Sequence, residues 1–436
     1  MAQWVLGPPG WALTGEVGAV RGRVVALLRP LRVPAFRRLW TAQLVSEVGD
    51  WSARLVLSVV VYTSSGSVML TGLVTTVLLL PWLGPGQLLT GLLEQWPRRR
   101  VLVVADLARG AAFLVALLPL PIPLLLLIVL GAGLATPPFE AARSALRPEI
   151  VSAPLVPAAT ALSSMTQDLS VVVGYATGGT LVALLGGRLA LLVNAASFLV
   201  SAALLAGLPD GSRPGRGGSA TGALRDGVRA LKSDPLVVRA VLLVTAAMFT
   251  ATSLTALATP LVLQRVVGSG PSLVGLLVGL AAAVSLVATT AVPVVDDPAL
   301  LLRWAAAFTT LGGGCVIVPL ALISWATTTT TVTGLAAAAF VGTGLLFAVI
   351  APANVLVSPR LPAKVRASAL SLLMGTLVAT EATGAAAAGL AASIVGVLPV
   401  SIALGVPALV VGGLALRVRP QPAASTNCTN QMNTQH

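Results

Sequence analysis

Apolar runs of twenty or more residues recur along nearly the whole chain, separated by short breaks that carry Gly, Pro and Arg. A helix needs roughly 20 predominantly apolar residues to cross the hydrocarbon core of a bilayer. Strands of a membrane barrel would instead alternate apolar and polar residues over about 10 positions. With 56% hydrophobic and 9% charged residues and a mean hydropathy of +0.95, the chain cannot coat a water-soluble globule. The expected fold is an all-α membrane protein. The spans read as 38–62, 70–93, 99–119, 123–146, 156–185, 188–208, 236–264, 271–293, 300–323, 330–357, 366–393 and 395–417, about twelve helices.

The net charge of +13 sits between the apolar runs rather than on a basic face, so it argues topology and not nucleic-acid binding. If the N-terminus faces the cytoplasm, 23 of the 27 Lys and Arg residues fall in inside segments. Only Arg188 and Arg265 fall outside, while Arg54 and Arg109 lie within helices. That bias predicts an even number of spans with both termini cytoplasmic, in a bacterial inner membrane. The basic stretch at 1–35, broken by Gly7-Pro8-Pro9-Gly10 and Glu16, makes a poor signal peptide and reads as a cytoplasmic arm.

The polar, Gly/Ser-rich segment 209–234 divides the chain into halves of similar length, 36–208 and 235–418, and reads as a cytoplasmic linker. Ala161-Leu162-Ser163 before the fifth span is echoed by Ala369-Leu370-Ser371 before the eleventh. Such an echo fits two parallel repeats, pseudo-symmetric bundles of six helices each. The tail 419–436, rich in Asn and Thr, is expected to be disordered.

Cys315 and Cys428 give no bridge framework or metal spacing, and the lone His436 is terminal. Histidine-based catalysis and metal chemistry are therefore not expected, and neither is an enzyme. No G-x-x-x-x-G-K-[ST] loop occurs, which speaks against ATP drive.

The chain resembles the major facilitator superfamily, in the branch of bacterial drug, macrolide and siderophore exporters, over about Pro34 to Arg419. The phrases that carry the likeness are Phe36-Arg37-Arg38-Leu39-Trp40 with Gly49-Asp50-Trp51, Arg98-Arg99-Arg100 with Ala105-Asp106-Leu107-Ala108-Arg109, Ala142-Arg143-Ser144-Ala145-Leu146-Arg147-Pro148-Glu149, and Gly174-Tyr175-Ala176-Thr177-Gly178-Gly179. The chain departs from that pattern at Gln95, where an arginine is common, and at Tyr175, where exporters carry proline. Its equivalent second-half turn retains only Asp296-Asp297 and Arg303, and no arginine stands near the middle of the fourth span. The resemblance implies a transporter that works by alternating access without a cofactor, driven by a proton gradient. Its implied substrates are small lipophilic compounds and its surroundings membrane lipids, and it is read as a monomer without a nucleic-acid partner.

Ionisable side chains at lipid depth are costly, so the few present are candidates for function. Glu47, Asp50 and Arg54 share one helical face, with Asp50 roughly 16 Å deep at 1.5 Å per residue and expected to pair with Arg54 one turn on. Two readings stand for them, proton coupling or a structural ion pair. Asp168 and Glu381 lie inside the fifth and eleventh spans without basic neighbours in sequence, as proton carriers, substrate contacts or neutral hydrogen-bonded acids. For Glu94, Arg98, Arg99, Arg100, Asp106 and Arg109 the resemblance implies a cytoplasmic gate, the other reading being basic anchors in part, and Glu140 with Arg143 reads as a cytoplasmic clamp. Gly174, Gly178 and Gly179 form a small-residue face for close helix packing, which the resemblance ties to export. Uptake or lysolipid flipping on the same scaffold, or a transport-inactive membrane scaffold, are the alternatives.

Overall fold

The computed structural model describes residues 27–93, 95–210, 228–265, 270–290, 297–361 and 366–417. The helices are α1 (Pro34–Ser65), α2 (Val68–Leu79), α3 (Pro85–Leu93), α4 (Arg98–Val115), α5 (Ile122–Leu134), α6 (Thr136–Ile150) and α7 (Val156–Ala206) in the first half. The second half has α8 (Pro235–Arg265), α9 (Pro271–Thr290), α10 (Pro298–Ile323), α11 (Thr329–Ala348), α12 (Ile350–Arg360), α13 (Arg366–Val395), α14 (Val397–Ala403) and α15 (Gly405–Arg417). No strand occurs among the described residues. Of the expected linker, 211–227 lies outside the described residues, and 228–233 is helical rather than irregular.

Local chemistry sets the breaks. Proline occupies the first position of α1, α3, α8, α9 and α10, where its missing N–H forfeits nothing. The side chains of Ser67, Asp297 and Thr328 accept from backbone N–H groups at the starts of α2, α10 and α11. Prolines also interrupt two expected spans: Pro81 sits in a 3-10 turn between α2 and α3, and Pro137-Pro138 follow the α5–α6 break. Gly186, at φ 77°, reverses α7 into two arms, and Gly396, at φ 103°, separates α13 from α14. Both are left-handed positions that an L side chain rarely adopts, and they stand at equivalent places in the two halves.

Among the described residues, eight helical stretches are long and apolar enough to cross a membrane. α1 and α4 are not among them, although α1 has 32 residues. Both carry internal charges, Glu47, Asp50 and Arg54 in α1 and Asp106 and Arg109 in α4. They are affordable only because the bundle wraps them, and α1 lies against both arms of α7. Trp40 donates to Thr166 Oγ1 at 2.8 Å and Gln43 to the Ser163 carbonyl at 2.9 Å. Gly174 meets Trp51 and Gly178 meets Ser52 farther along both helices, so the first arm runs parallel to α1, and the returning arm brings Gly207 to Arg38 at 2.8 Å.

Lipid offers no hydrophobic drive for helix association, so close packing of small residues and interhelical hydrogen bonds must supply it. Gly174 and Gly178 pack on Trp51 and Ser52 of α1, whereas Gly179 turns to the second half and meets Gly275 of α9. A Cβ on Gly179 would lie 2.8 Å from the Pro271 carbonyl oxygen and 3.0 Å from Gly275 Cα. The symmetry-related contact joins Gly72 of α2 to Gly389 of α13, where a Cβ on Gly72 would lie 2.9 Å from Gly389 Cα. These two seams hold the bundles together.

Contacts between the bundles run from the end where Gln264 donates to Tyr62 Oη at 2.7 Å down to the level of Thr76, whose hydroxyl donates to the Ala382 carbonyl at 2.9 Å. Further along the same helix faces, toward the end bearing Arg98, Asp234 and Arg360, Met165, Leu169, Val287 and Met374 are exposed. The recorded contacts between the bundles thus lie toward the opposite end. Gly179→Leu is expected to wedge the closed end apart, because the blocking atoms are backbone. Cross-linking of a Tyr62→Cys/Gln264→Cys pair measures this: it falls several-fold with Gly179→Leu, whereas unchanged cross-linking would contradict a seam at Gly179.

Candidate coupling and substrate site

Three acid or acid-arginine pairs at i, i+3 spacing build the interior of the first bundle: Glu47 and Asp50 on α1, Asp106 and Arg109 on α4, Glu140 and Arg143 on α6. At that spacing the side chains of a pair stand on one helix face. The two arginines turn inward to α1 and each collects one carboxylate from it.

Arg109 pairs with Asp106 on its own helix and with Asp50 Oδ2 at 3.1 Å. Its side chain is 3% exposed and that of Asp106 0%, whereas Asp50 is 32% exposed. The guanidinium lies 4.4 Å from the ring centre of Phe139 and 4.6 Å from that of Phe198, between two π faces that favour a cation. Arg143 repeats the plan, pairing with Glu140 Oε2 at 2.6 Å and with Glu47, at 4% exposure. Each cluster thus holds two carboxylates on one guanidinium. Glu47 Oε2 and Asp106 Oδ2 are buried without a hydrogen-bond partner among the described residues.

The expected Asp50–Arg54 pair does not form. Arg109 reaches Asp50 from the side, already oriented by Asp106 and the two rings. Arg54 instead stacks on Trp51 at 4.2 Å and extends into the centre of the molecule. There it lines a cavity with Trp51, Ser58, Thr75, Tyr175 and, from the second bundle, Glu381. A smaller cavity inside the first bundle is lined by Asp50, Trp82, Arg109 and Thr136 and shares Arg54 with the central one. Arg54 is therefore the wall between the buried ion cluster and the space between the bundles.

The residues read as one cytoplasmic gate separate. Arg98 pairs with Glu149 and donates to the Ala145 carbonyl at 2.8 Å, Arg99 meets Asp210 at 2.6 Å, and Arg100 is exposed. Asp106 and Arg109 lie one to three turns deeper, in the cluster with Asp50. Arg143, read as part of a surface clamp, is likewise buried. Glu94 lies outside the described residues. Asp168 is exposed, on the α7 face that continues from Val172 and Ala176 past the contact with α9, and it is not among the residues lining the central cavity. Glu381 does reach the central cavity.

Sequence reading missed the aromatic clamp of Phe139 and Phe198, whose partner is distant in the chain. It also missed Thr252, Thr255 and Thr259 of α8, which line the central cavity. Their i, i+3, i+7 spacing in an otherwise apolar helix was a usable signal. Among the described residues no group of His, Cys, Asp and Glu could hold a metal ion.

The family described as transmembrane secretion effector matches residues 25–436. No curated protein matches the chain. Similar solved structures include a bacterial homolog of the human lysosomal transporter Spinster, inward-facing and unoccupied, with 15% identity, TM-score 0.67, and 89% of this chain and 97% of that one covered. The nucleoside transporter NupG shares 14% identity at TM-score 0.69, over 88% of this chain and 99% of that one. A POT family transporter bound to a thioalcohol-conjugated peptide shares 12% identity at TM-score 0.66, over 87% and 95%. At these identities the likeness is one of fold.

Proposed function

The chain belongs to the transmembrane secretion effector family of the major facilitator superfamily, and we propose that within it this multi-pass membrane transporter is a proton-coupled antiporter exporting small lipophilic compounds. The observation that carries the reading is the pair of buried clusters, each with two carboxylates on one arginine. With every carboxylate ionised, each cluster carries one surplus negative charge in a low-dielectric interior, which a proton would neutralise.

In this proposal the end rich in Lys and Arg is cytoplasmic, and both termini lie there, in a bacterial inner membrane. A cleft between the bundles on that side would then open to the cytoplasm, the state in which an exporter loads its substrate. The bundles rock about the seams at Gly179–Gly275 and Gly72–Gly389, the cleft closes, and the cavity opens outward. Asp50, partly exposed and in contact with Arg109, exchanges its proton as the cavity changes sides. The basic residues Arg98, Arg99 and Arg100 with Glu94 belong to the cytoplasmic gate that completes the closed cleft, and Asp168 borders its path.

The testing experiment is a susceptibility and efflux panel in a host lacking its own pumps. Expression should lower the accumulation of at least one lipophilic compound, and an uncoupler should restore it. Accumulation raised by expression would instead assign uptake.

A further inference from the structure

We propose that the central cavity is built for an amphoteric substrate, one that carries an acidic group, carboxylate or phosphate, at one end and an amine at the other. The inference deepens the exporter reading and rests on it for the direction of transport, but binding itself can be tested without a gradient.

The other buried arginines of the first bundle, Arg109 and Arg143, are each committed to two carboxylates. Arg54 makes no ion pair among the described residues. Its guanidinium stacks on the face of Trp51 at 4.2 Å and acts by charge on Asp50 and on Glu381, without an ion-pair contact to either among the described residues. Opposite it, on α13 of the other bundle, Glu381 lines the same cavity and also makes no ion pair among the described residues. One cation and one anion thus line the same cavity from different bundles.

Two opposite charges that compensate each other only across a cavity, without direct contact, are expensive in a membrane interior. A ligand with one charge relieves only one of them and places its own charge near the like-charged group. A neutral lipophile would desolvate both. A ligand with both charges satisfies Arg54 by bidentate contact with its acid and Glu381 by contact with its amine. The remaining wall fits the body between those ends: Trp51, Tyr175 and Phe347 offer apolar and aromatic surface, and Thr252 and Thr255 offer hydroxyls. Because the two charges belong to different bundles, such a ligand would also bridge them, tying occupancy to their relative position.

The test uses the full chain purified in detergent and a matched trio of probes: the zwitterionic quinolone ciprofloxacin, its methyl ester, which keeps only the amine, and its N-acetyl derivative, which keeps only the carboxylate. Affinity is read by equilibrium binding and by the shift in melting temperature. The expected result is that the zwitterion binds at least about tenfold more tightly than either derivative, a difference of about 1.4 kcal/mol. Arg54→Gln should reduce the zwitterion to the affinity of the ester, and Glu381→Gln to that of the N-acetyl compound. The comparison within the unsubstituted protein stands even if a variant fails to fold.

Equal binding of the three, a preference for a singly charged derivative, or binding of none overturns the proposal. Uncoupler-sensitive export of a singly charged lipophile alongside any of those outcomes would leave the exporter reading standing and remove only the amphoteric assignment. Loss of all uncoupler-sensitive export with the zwitterion preference intact would do the reverse.

Discussion

Arg109→Met is expected to destabilise the folded protein by about 3–5 kcal/mol, the usual cost of removing one partner from a buried ion pair. The carboxylate of Asp106 is 0% exposed and depends on Arg109 for compensation. The methionine would still fill the slot between Phe139 and Phe198, so lost packing would not account for the effect. Adding Asp106→Asn should recover most of the stability, since the uncompensated charge goes with it. Thermal unfolding of the single and double variants in detergent measures both effects. A single variant that melts with the unsubstituted protein, or a double variant no better than the single, would show that the cluster is not held together by this pair.

Asp50→Asn is expected to abolish uphill export while leaving the protein folded and able to exchange substrate downhill. Asparagine keeps the shape of the side chain and still offers an oxygen to Arg109, which retains its partner Asp106, so the fold loses little. What disappears is the carboxylate of its cluster that lines a cavity, 32% exposed where Asp106 is 0%. Proteoliposome assays separate the two activities. Substrate counterflow should persist, and accumulation driven by a pH gradient should fall to the level seen with an uncoupler. Full uphill transport by Asp50→Asn would remove Asp50 from the coupling role.

The helical layout was legible because lipid imposes a simple rule on sequence. The reversal at Gly186 falls between the spans read as 156–185 and 188–208, within what is a continuous run of apolar residues. Internal breaks were less visible, as with α5 and α6, because Ala135 gives no signal of its own and the adjoining prolines can sit in a first helical turn. For the site, spacing along one helix identified which residues share a face but not which neighbour they meet. Asp50 and Arg54 share a face of α1, yet the competing partner, Arg109, lies 59 residues away in sequence. The i, i+3 pairs Asp106–Arg109 and Glu140–Arg143 were visible as local spacing. That both aim at α1 followed only from the packing of α4 and α6 around it. Depth was misjudged for the same reason: a basic cluster next to a turn reads as surface, and nothing in Ala105–Arg109 shows that Arg109 is enclosed by Phe139 and Phe198.

Efflux driven by an imposed proton gradient, measured with the purified protein in sealed vesicles, bears most directly on the antiporter account. With a compound identified by the susceptibility panel, substrate should move against its own gradient only while protons flow the opposite way, with a proton released for transport in each cycle and all movement uphill ending when the gradient is collapsed. Uphill movement that ignores the proton gradient, or that runs in the same direction as the protons, would contradict it.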